Sequence, residues 1–424
     1  MSPMTMSSRR RRAHDRLAGL PGVRAVRRPV HPSGGADGPH FDLYYVRIGR
    51  KSRHPLLVIP GGPGAASVAL YRAFRRRAAV DGLDVIMVEH RGVGLSRHDD
   101  AGRDLPPEAI CIDAAVDDLA AVLDDAKVEQ AVVYGASYGS YVAAGFGVRH
   151  PGRVHAMVLD SPLLSAHDIV EARAQIRHVL WDGATPDTAE LAAKVRTLVD
   201  AGVFTPQAVL QAVGIFELAG PDVLRRQLDL LLAGHDWLWT AVGVGTRLLL
   251  ERKTPYHQEP DLVERIAYRE LNYGAVPDGG PLDPAVAFRE MATGDAGFVA
   301  EPYDLPAALP GFGWPTVVVS GGRDLTTPPA IARRVAQLLP DPALVELPTA
   351  GHSILDIRER AALQIGLAVC SGAAHELPGR AAELDALPAN LTVRLMVRAV
   401  ALAARAEAVV PDVLPRAMRQ LTAS

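Results

Sequence analysis

Ala131-Val132-Val133-Tyr134-Gly135-Ala136-Ser137-Tyr138-Gly139 is the stretch on which the reading of this chain turns. A short apolar run, rich in β-branched residues, leads into Gly-x-Ser-x-Gly, and helical periodicity follows over residues 138–149. A strand that passes into a helix through one residue needs a sharp turn. Glycines on both sides of Ser137 leave room for that turn, which holds the serine in strained geometry with its hydroxyl exposed above a sheet edge. At a helix N-terminus, backbone N–H groups and the helix dipole also favour developing negative charge. The plainer alternative is a glycine-rich turn with a capping serine; the strand before it and the helix after it favour a nucleophile.

Working outward, further apolar runs recur at spacings that suit an α/β protein: residues 56–59, 84–88, 156–159, 316–319 and 343–347. Continuous apolar runs fit parallel strands covered on both faces by helices. Residues 41–48 alternate instead and read as an antiparallel edge strand. Helical patterns fill the intervals, as at 114–126. Between 165 and 310 the strand–helix rhythm stops, and amphipathic patterns at 188–201, 223–233 and 261–273, separated by Pro/Gly clusters, predict a helical cap inserted into the series. The expected organisation is a basic, partly disordered tail over 1–40, a core from 41–164 and 311–370, a cap over 165–310 and a helical C-terminal extension over 371–424. Packing on the body or on a second subunit is the expected role of that extension.

A serine hydroxyl is a weak nucleophile near neutral pH and needs a base within hydrogen-bond reach. Of the 14 histidines, His352 is singled out by its setting, Ala350-Gly351-His352-Ser353, in the loop after the last expected strand. Asp324 follows the strand at 316–319. Serine, aspartate and histidine thus all fall at C-terminal strand ends, where open α/β sheets place their sites. Asp324 would orient the imidazole and stabilise the imidazolium that forms. Asp160, ending the strand at 156–159, is the competing acid, and His150 is read as finishing the helix that Ser137 begins. Gly61-Gly62-Pro63-Gly64 follows the strand at 56–59. Backbone N–H groups of Gly62 and Tyr138 are therefore the candidate donors to a developing oxyanion.

Composition bounds the remainder. Net charge is −3, so no global basic field of the kind nucleic-acid binders need is present. Cys111 and Cys370 cannot build a disulfide framework and lie in no metal-binding cluster, so neither a metal nor another cofactor is expected. Arg9 to Arg12 resemble the start of an export signal but lack the apolar segment that must follow. They are read as a solvated tail, the absence of a long apolar run excludes a membrane span, and a cytoplasmic location is expected. Arginines at 394, 398 and 405 make the C-terminal segment amphipathic.

The motifs Ile59-Pro60-Gly61-Gly62-Pro63-Gly64, Glu89-His90-Arg91-Gly92-Val93-Gly94-Leu95-Ser96 and Gly135-Ala136-Ser137-Tyr138-Gly139-Ser140-Tyr141 together resemble the proline iminopeptidase and tripeptidyl aminopeptidase family of α/β-hydrolases. Pro151-Gly152-Arg153-Val154, residues 321–328 and Gly351-His352-Ser353 extend the resemblance. Pro60 and Glu89-His90 depart from the family's usual His and Asp-Gln. The resemblance implies an α/β-hydrolase fold, a mostly parallel sheet flanked by helices, and a Ser137–His352–Asp324 triad. It also implies hydrolysis of an N-terminal peptide bond, with a cap carboxylate taking the substrate's α-amino group. Glu270 is the candidate for that carboxylate, ahead of Glu290 and Glu301. Gly61 is a candidate substrate contact, and Trp237 and Trp239 could line an apolar subsite or simply pack the cap. An esterase or amidase acting on a small metabolite stays open, as does a noncatalytic relative that keeps the fold. The expected partner is a peptide or small molecule, neither nucleic acid nor membrane, with the oligomeric state open.

Overall fold

The apolar runs become strands of one sheet. The computed structural model describes residues 7–31, 38–250, 253–292, 294 and 297–408. The strands are β1 (Val23–Pro29), β2 (His40–Ile48), β3 (Leu56–Ile59), β4 (Val85–Val88), β5 (Ala131–Ala136), β6 (Val154–Asp160), β7 (Thr316–Gly321) and β8 (Pro342–Leu347). Their order in the sheet is β1-β2-β4-β3-β5-β6-β7-β8. β1 and β2 run antiparallel to their neighbours, and the strands from β4 to β8 are parallel.

Every residue of β3, β4, β5 and β7 is buried, because helices cover both faces. Val133 and Met157 point into a core with Tyr141, Val142 and Phe146 of the helix Tyr138–Arg149. Val132, Tyr134 and Val158 point to the opposite core, which is closed by Leu363 and Ile365 of the helix Glu359–Cys370. Each fully buried Val, Leu or Ile contributes roughly 1.5–3 kcal/mol to this arrangement.

The segment expected to be a basic, partly disordered tail over 1–40 contains regular structure. Ser8–Ala18 is a helix whose Ala13, Leu17 and Ala18 pack on the second core, and β1 pairs with β2 from Val23↔Val46 to Pro29↔His40. β2 is therefore not the sheet edge; β1 is. Its arginines made the segment read as solvated, but an edge strand tolerates charge. Arg27 pairs with Asp42 and Asp100, and Arg28 with Asp118. Residues 1–6 and 32–37 lie outside the described residues.

Between β6 and β7 the cap comprises the helices Ile169–Arg177, Pro186–Asp200, Pro206–Ala219, Pro221–Leu232, Trp237–Leu250, Pro260–Arg269 and Pro284–Met291. Five of them start on proline, whose fixed φ and missing N–H suit the first helical position. Prolines read as separators are thus helix starts, and the helices Ile169–Arg177, Pro206–Ala219, Trp237–Leu250 and Pro284–Met291 add to those expected. The cap has its own core, including Leu191, Val195, Val209, Phe216, Leu224 and Leu228, and Leu325 from the loop after β7 joins it. Beyond the body, the helix Leu391–Glu407 packs back on the cap through Ala404 against Leu230 and Leu238. Pro411 and Pro415 lie outside the described residues. Cys111 and Cys370 are both free thiols, and no described helix is long and apolar enough to cross a membrane.

Arg91, 1% exposed, holds Asp118 with Nε and Nη2, each at 2.7 Å, and donates to Ala109 O at 2.8 Å. Asp118 also accepts from Arg28 Nε at 2.8 Å, so one carboxylate joins β1, the turn after β4 and the helix Ile112–Asp125. Asp118→Ala would strand a buried guanidinium and is expected to cost about 3–5 kcal/mol. Asp124→Ala, which removes the exposed partner of Arg153, should cost at most about 1 kcal/mol. Urea-unfolding midpoints of the two variants test the contrast.

Candidate active site

Ser137 sits between β5 and the helix Tyr138–Arg149 with φ 52° and ψ −123°, a strained geometry worth about 1–3 kcal/mol. Neighbouring bonds hold it there: its N–H donates to Asp160 O at 2.8 Å, and Ser140 N–H and Oγ donate to its carbonyl at 2.8 and 2.5 Å. The flanking glycines are sterically required. A Cβ on Gly135 would lie 2.2 Å from Gly139 O, and one on Gly139 would lie 2.1 Å from Ile59 O. Gly61 lies close by, where a Cβ would stand 3.2 Å from Ser137 Cβ, and Gly62 has φ +127°. The glycine loop therefore meets the serine at Gly61. Tyr138 opens the helix, so its N–H is one of those without an acceptor inside that helix.

The structure brings the three expected side chains together. His352 Nε2 is 2.8 Å from Ser137 Oγ, and His352 Nδ1 is 2.9 Å from Asp324 Oδ2. Asp324 is fully buried and also accepts from Thr327 Oγ1 at 2.9 Å, Thr327 N at 2.7 Å and Thr326 N at 3.0 Å. Burial opposes protonation of His352, but Asp324, by charge and hydrogen bond, then Glu217 and Asp160, raise its pKa to about 9.

Asp160, the competing acid, does not hydrogen-bond the imidazole. Its carboxylate accepts from Ile354 N at 3.0 Å, Leu355 N at 2.8 Å and Tyr134 Oη at 2.9 Å, securing the helical turn that follows His352. Burial pushes its pKa up to about 6. His150 caps the end of the helix Tyr138–Arg149 and bonds Asp117 at 2.9 Å.

Glu217, missed in the sequence, reaches the site from the cap helix Pro206–Ala219. Its Oε1 accepts from Leu325 N at 2.9 Å, Thr326 N at 3.0 Å and Thr326 Oγ1 at 2.9 Å. Burial, followed by repulsion from Asp324, holds its carboxyl above the usual carboxylate range. The available signal was a glutamate beside Phe216 on the apolar face of an amphipathic helix. His90, also missed, is a partly buried imidazole whose Nδ1 donates to Arg91 O at 2.6 Å and whose Nε2 accepts from Tyr138 Oη at 2.9 Å. Burial lowers its pKa to about 4.

Glu270 terminates the helix Pro260–Arg269, and its Oε2 accepts from Ile112 N at 3.0 Å. Burial raises its pKa to about 7. Burial, then Glu301, with Glu270 and Asp168 adding to it, pushes the Tyr141 phenol upward. Glu301 accepts from Ala166 N at 2.8 Å, and Asp168 is raised to about 6 by burial and by Glu301. Glu290 instead meets Gln207 on the surface. The expectation for Trp237 is corrected. It is 62% exposed at the start of its helix and lines neither cavity described below, because the neighbouring Leu238 takes the buried phase. Trp239 packs on Phe204 in the cap core.

A cavity of about 620 Å³ lies between body and cap, lined by Leu163, Asp168, Leu271, Tyr273, Phe288 and Thr327 among others. Thr327 bonds both Asp324 and His352, so the cavity adjoins the acid–base pair. A second, of about 490 Å³, lies behind the glycine loop and is lined by Gly61, Gly64, His90 and Tyr138 among others. Among the described residues no cluster of three or more His, Cys, Asp or Glu is placed to hold a metal ion.

Sheet order, strained serine turn and inserted cap together define a protein of the α/β-hydrolase fold. A family profile described as alpha/beta hydrolase fold matches residues 54–193. The chain is 25% identical over 144 residues to a proline iminopeptidase of Arabidopsis thaliana, covering 32% of this chain and 34% of that protein. Identity is likewise 25%, over 138 residues, to the proline iminopeptidase of Neisseria meningitidis serogroup A, covering 32% and 41%. The matches thus span well under half the length of these curated relatives. Among solved structures, a proline iminopeptidase of Mycobacterium smegmatis is 18% identical, covering 90% of this chain and 100% of that one with a TM-score of 0.48. A thermophilic esterase from Thermogutta terrifontis is 18% identical, covering 83% and 99%, also with a TM-score of 0.48.

An imidazole must be neutral to accept the Ser137 proton. With its pKa raised to about 9, the rate at which a fluorophosphonate labels Ser137 should rise with pH along a limb well above the ordinary histidine value. Glu217→Gln removes a negative charge that stabilises the imidazolium, so the limb should move to lower pH. A pH profile of labelling that is identical in the variant would show that Glu217 contributes shape alone.

Proposed function

We propose that the protein is a serine hydrolase that cleaves an N-terminal peptide bond, or a closely related amide, through an acyl-enzyme. The observation that carries this is the continuous chain Ser137 Oγ–His352 Nε2, 2.8 Å, and His352 Nδ1–Asp324 Oδ2, 2.9 Å. As Ser137 Oγ attacks the scissile carbonyl carbon, His352 Nε2 takes its proton, and Asp324 stabilises the resulting imidazolium. The carbonyl oxygen becomes an oxyanion that accepts from the N–H groups of Gly62 and Tyr138. Each such donor is worth about 10²–10³ in rate. His352 then protonates the leaving amine. A water deprotonated by His352 attacks the ester carbonyl, and collapse of the second tetrahedral intermediate returns the proton to Ser137 and releases the acid.

Two features support the aminopeptidase reading. The first is the likeness of the matched segment to proline iminopeptidases. The second is that Glu270, which accepts from Ile112 N of the body, and Asp168, which lines the larger cavity, have carboxyls pushed up to about 7 and about 6 by burial. Buried carboxylates of this kind gain from a cation, and a substrate's α-ammonium supplies one. A second reading, an esterase or amidase for an apolar acyl group, draws on the lining of the larger cavity by Leu163, Leu271, Tyr273 and Phe288.

Aminoacyl p-nitroanilides with free or blocked amino groups, set beside simple p-nitrophenyl acyl esters, separate the two readings. Free-amine amides should be preferred, and Glu270→Gln should raise their KM about 10–100-fold, the worth of one charge-assisted hydrogen bond, while leaving ester turnover unchanged. Equal rates on blocked and free substrates would sink the amino-anchor reading. Ser137→Ala should abolish both turnover and fluorophosphonate labelling; persistence of either rules out the serine mechanism.

A further inference from the structure

The arginine run at 9–12 is unused by the chemistry so far described, yet one member of it turns inward. Arg10 Nη1 donates to Glu259 Oε1 at 2.6 Å and Nη2 to Oε2 at 3.0 Å. Its guanidinium lies over the Tyr256 ring, 4.9 Å from the centroid, and Tyr256 Oη donates to Arg10 O at 2.8 Å. Arg9, Arg11 and Arg12 on the same helix are exposed.

Glu259 connects this helix to the glycine loop beside Ser137. Its side chain is 0% exposed, and its Oε2 accepts from Gly94 N at 2.7 Å. Its own N–H donates to Gly64 O at 2.9 Å, and Ala66 N–H donates to His257 O at 2.9 Å. The following residue presses on the loop directly, since a Cβ on Gly64 would lie 3.0 Å from Pro260 Cα. Segment 254–259 is therefore a backing strip for the loop, and its position depends on where the Glu259 carboxylate is held.

A buried carboxylate without a counter-ion is strongly unfavourable. Arg97 approaches Glu259 only to 3.9 Å and commits its guanidinium to Asp104 and Asp261 at 2.7 and 2.8 Å. Arg10 supplies the close, two-pronged partner, a geometry that lysine reproduces in charge but not in shape.

We propose that Arg10 is a positioning residue for the oxyanion loop: through Glu259, the N-terminal helix sets the placement of the Gly62 N–H relative to Ser137. The inference rests on the serine-hydrolase reading above. Arg10 itself touches no reacting atom, and its effect falls on the transition state, where the oxyanion exists, more than on substrate binding.

The test uses the full chain and an acyl p-nitrophenyl ester. Arg10→Gln should lower kcat about tenfold, a fraction of the loss of a whole oxyanion donor, and slow fluorophosphonate labelling in parallel, with KM within about twofold. Arg10→Lys should recover part of kcat, and Arg11→Gln should match the wild type. Should Arg10→Gln fold poorly, Tyr256→Phe removes the Oη bond that fixes the helix backbone at Arg10 without stranding a charge, and should lower kcat in the same direction by a smaller factor. Wild-type kcat in a folded Arg10 or Tyr256 variant overturns the positioning role while leaving the hydrolase intact. A loss confined to KM overturns it as well. A wild-type protein that neither turns over ester nor labels at Ser137 defeats the hydrolase reading itself, and this inference with it.

Discussion

The whole site depends on how closely the serine turn approaches its neighbours. Gly139 passes so near the end of β3 that a single methyl group there would overlap the Ile59 carbonyl, and Gly135 faces Gly139 with equally little room. That closeness lets β5 reverse into a helix within one residue. It puts Ser137 at the C-terminal edge of the sheet, where the chain leaving β3, β7 and β8 supplies the glycine loop, the aspartate and the histidine in turn. The helix that follows repays the strained turn by burying Tyr141 and Phe146 completely, and large aromatic side chains of this kind are the heaviest single contributors to a core.

The electrostatics of the site are shared between body and cap. Asp324 is saturated by the backbone and hydroxyl donors of its own loop, while the next turn of that loop is gripped by Glu217 from above. Leu325 lies between these two carboxylates and belongs to the hydrophobic core of the cap. The loop that carries the acid is thus also the floor of the cap, and apolar packing and acid placement there are aspects of one contact. Two buried carboxylates and one imidazole in such proximity favour a proton on the ring, which accounts for the direction in which His352 is shifted.

What the sequence disclosed follows from how each residue is used. Strands β3, β4, β5 and β7 were legible because parallel strands covered on both faces are apolar without interruption, β6 and β8 because their apolar runs outweigh His155 and Glu346, and Ser137, Asp324 and His352 because each directly follows such a run or lies in the loop beyond it. β1 was not legible: Arg24, Arg27 and Arg28 interrupt any apolar pattern, and the carboxylates that pair with Arg27 and Arg28, those of Asp42, Asp100 and Asp118, come from other parts of the chain. Glu217 and Arg10 were hidden for the same reason, since their partners come from other elements. Trp237 misled by residue type, for one step along a helix turns a side chain by about 100° and here separates an exposed tryptophan from a buried leucine.

The C-terminal helix carries a mechanical consequence. The cap leaves the sheet after β6 and rejoins it before β7, two strands that lie side by side, and Glu217 and Glu259 tie it further to the loops after β7 and β3. The helix Leu391–Glu407 leaves the body and grips the cap, with Ala404 packed on Leu230 and Leu238 and Glu407 accepting from Leu238 N at 3.1 Å. A flap pinned along a third line cannot rotate as a rigid door. A substrate for Ser137 would then have to enter past the side chains that line the larger cavity, such as Leu163, Leu271 and Phe288, and not by a swing of the whole cap.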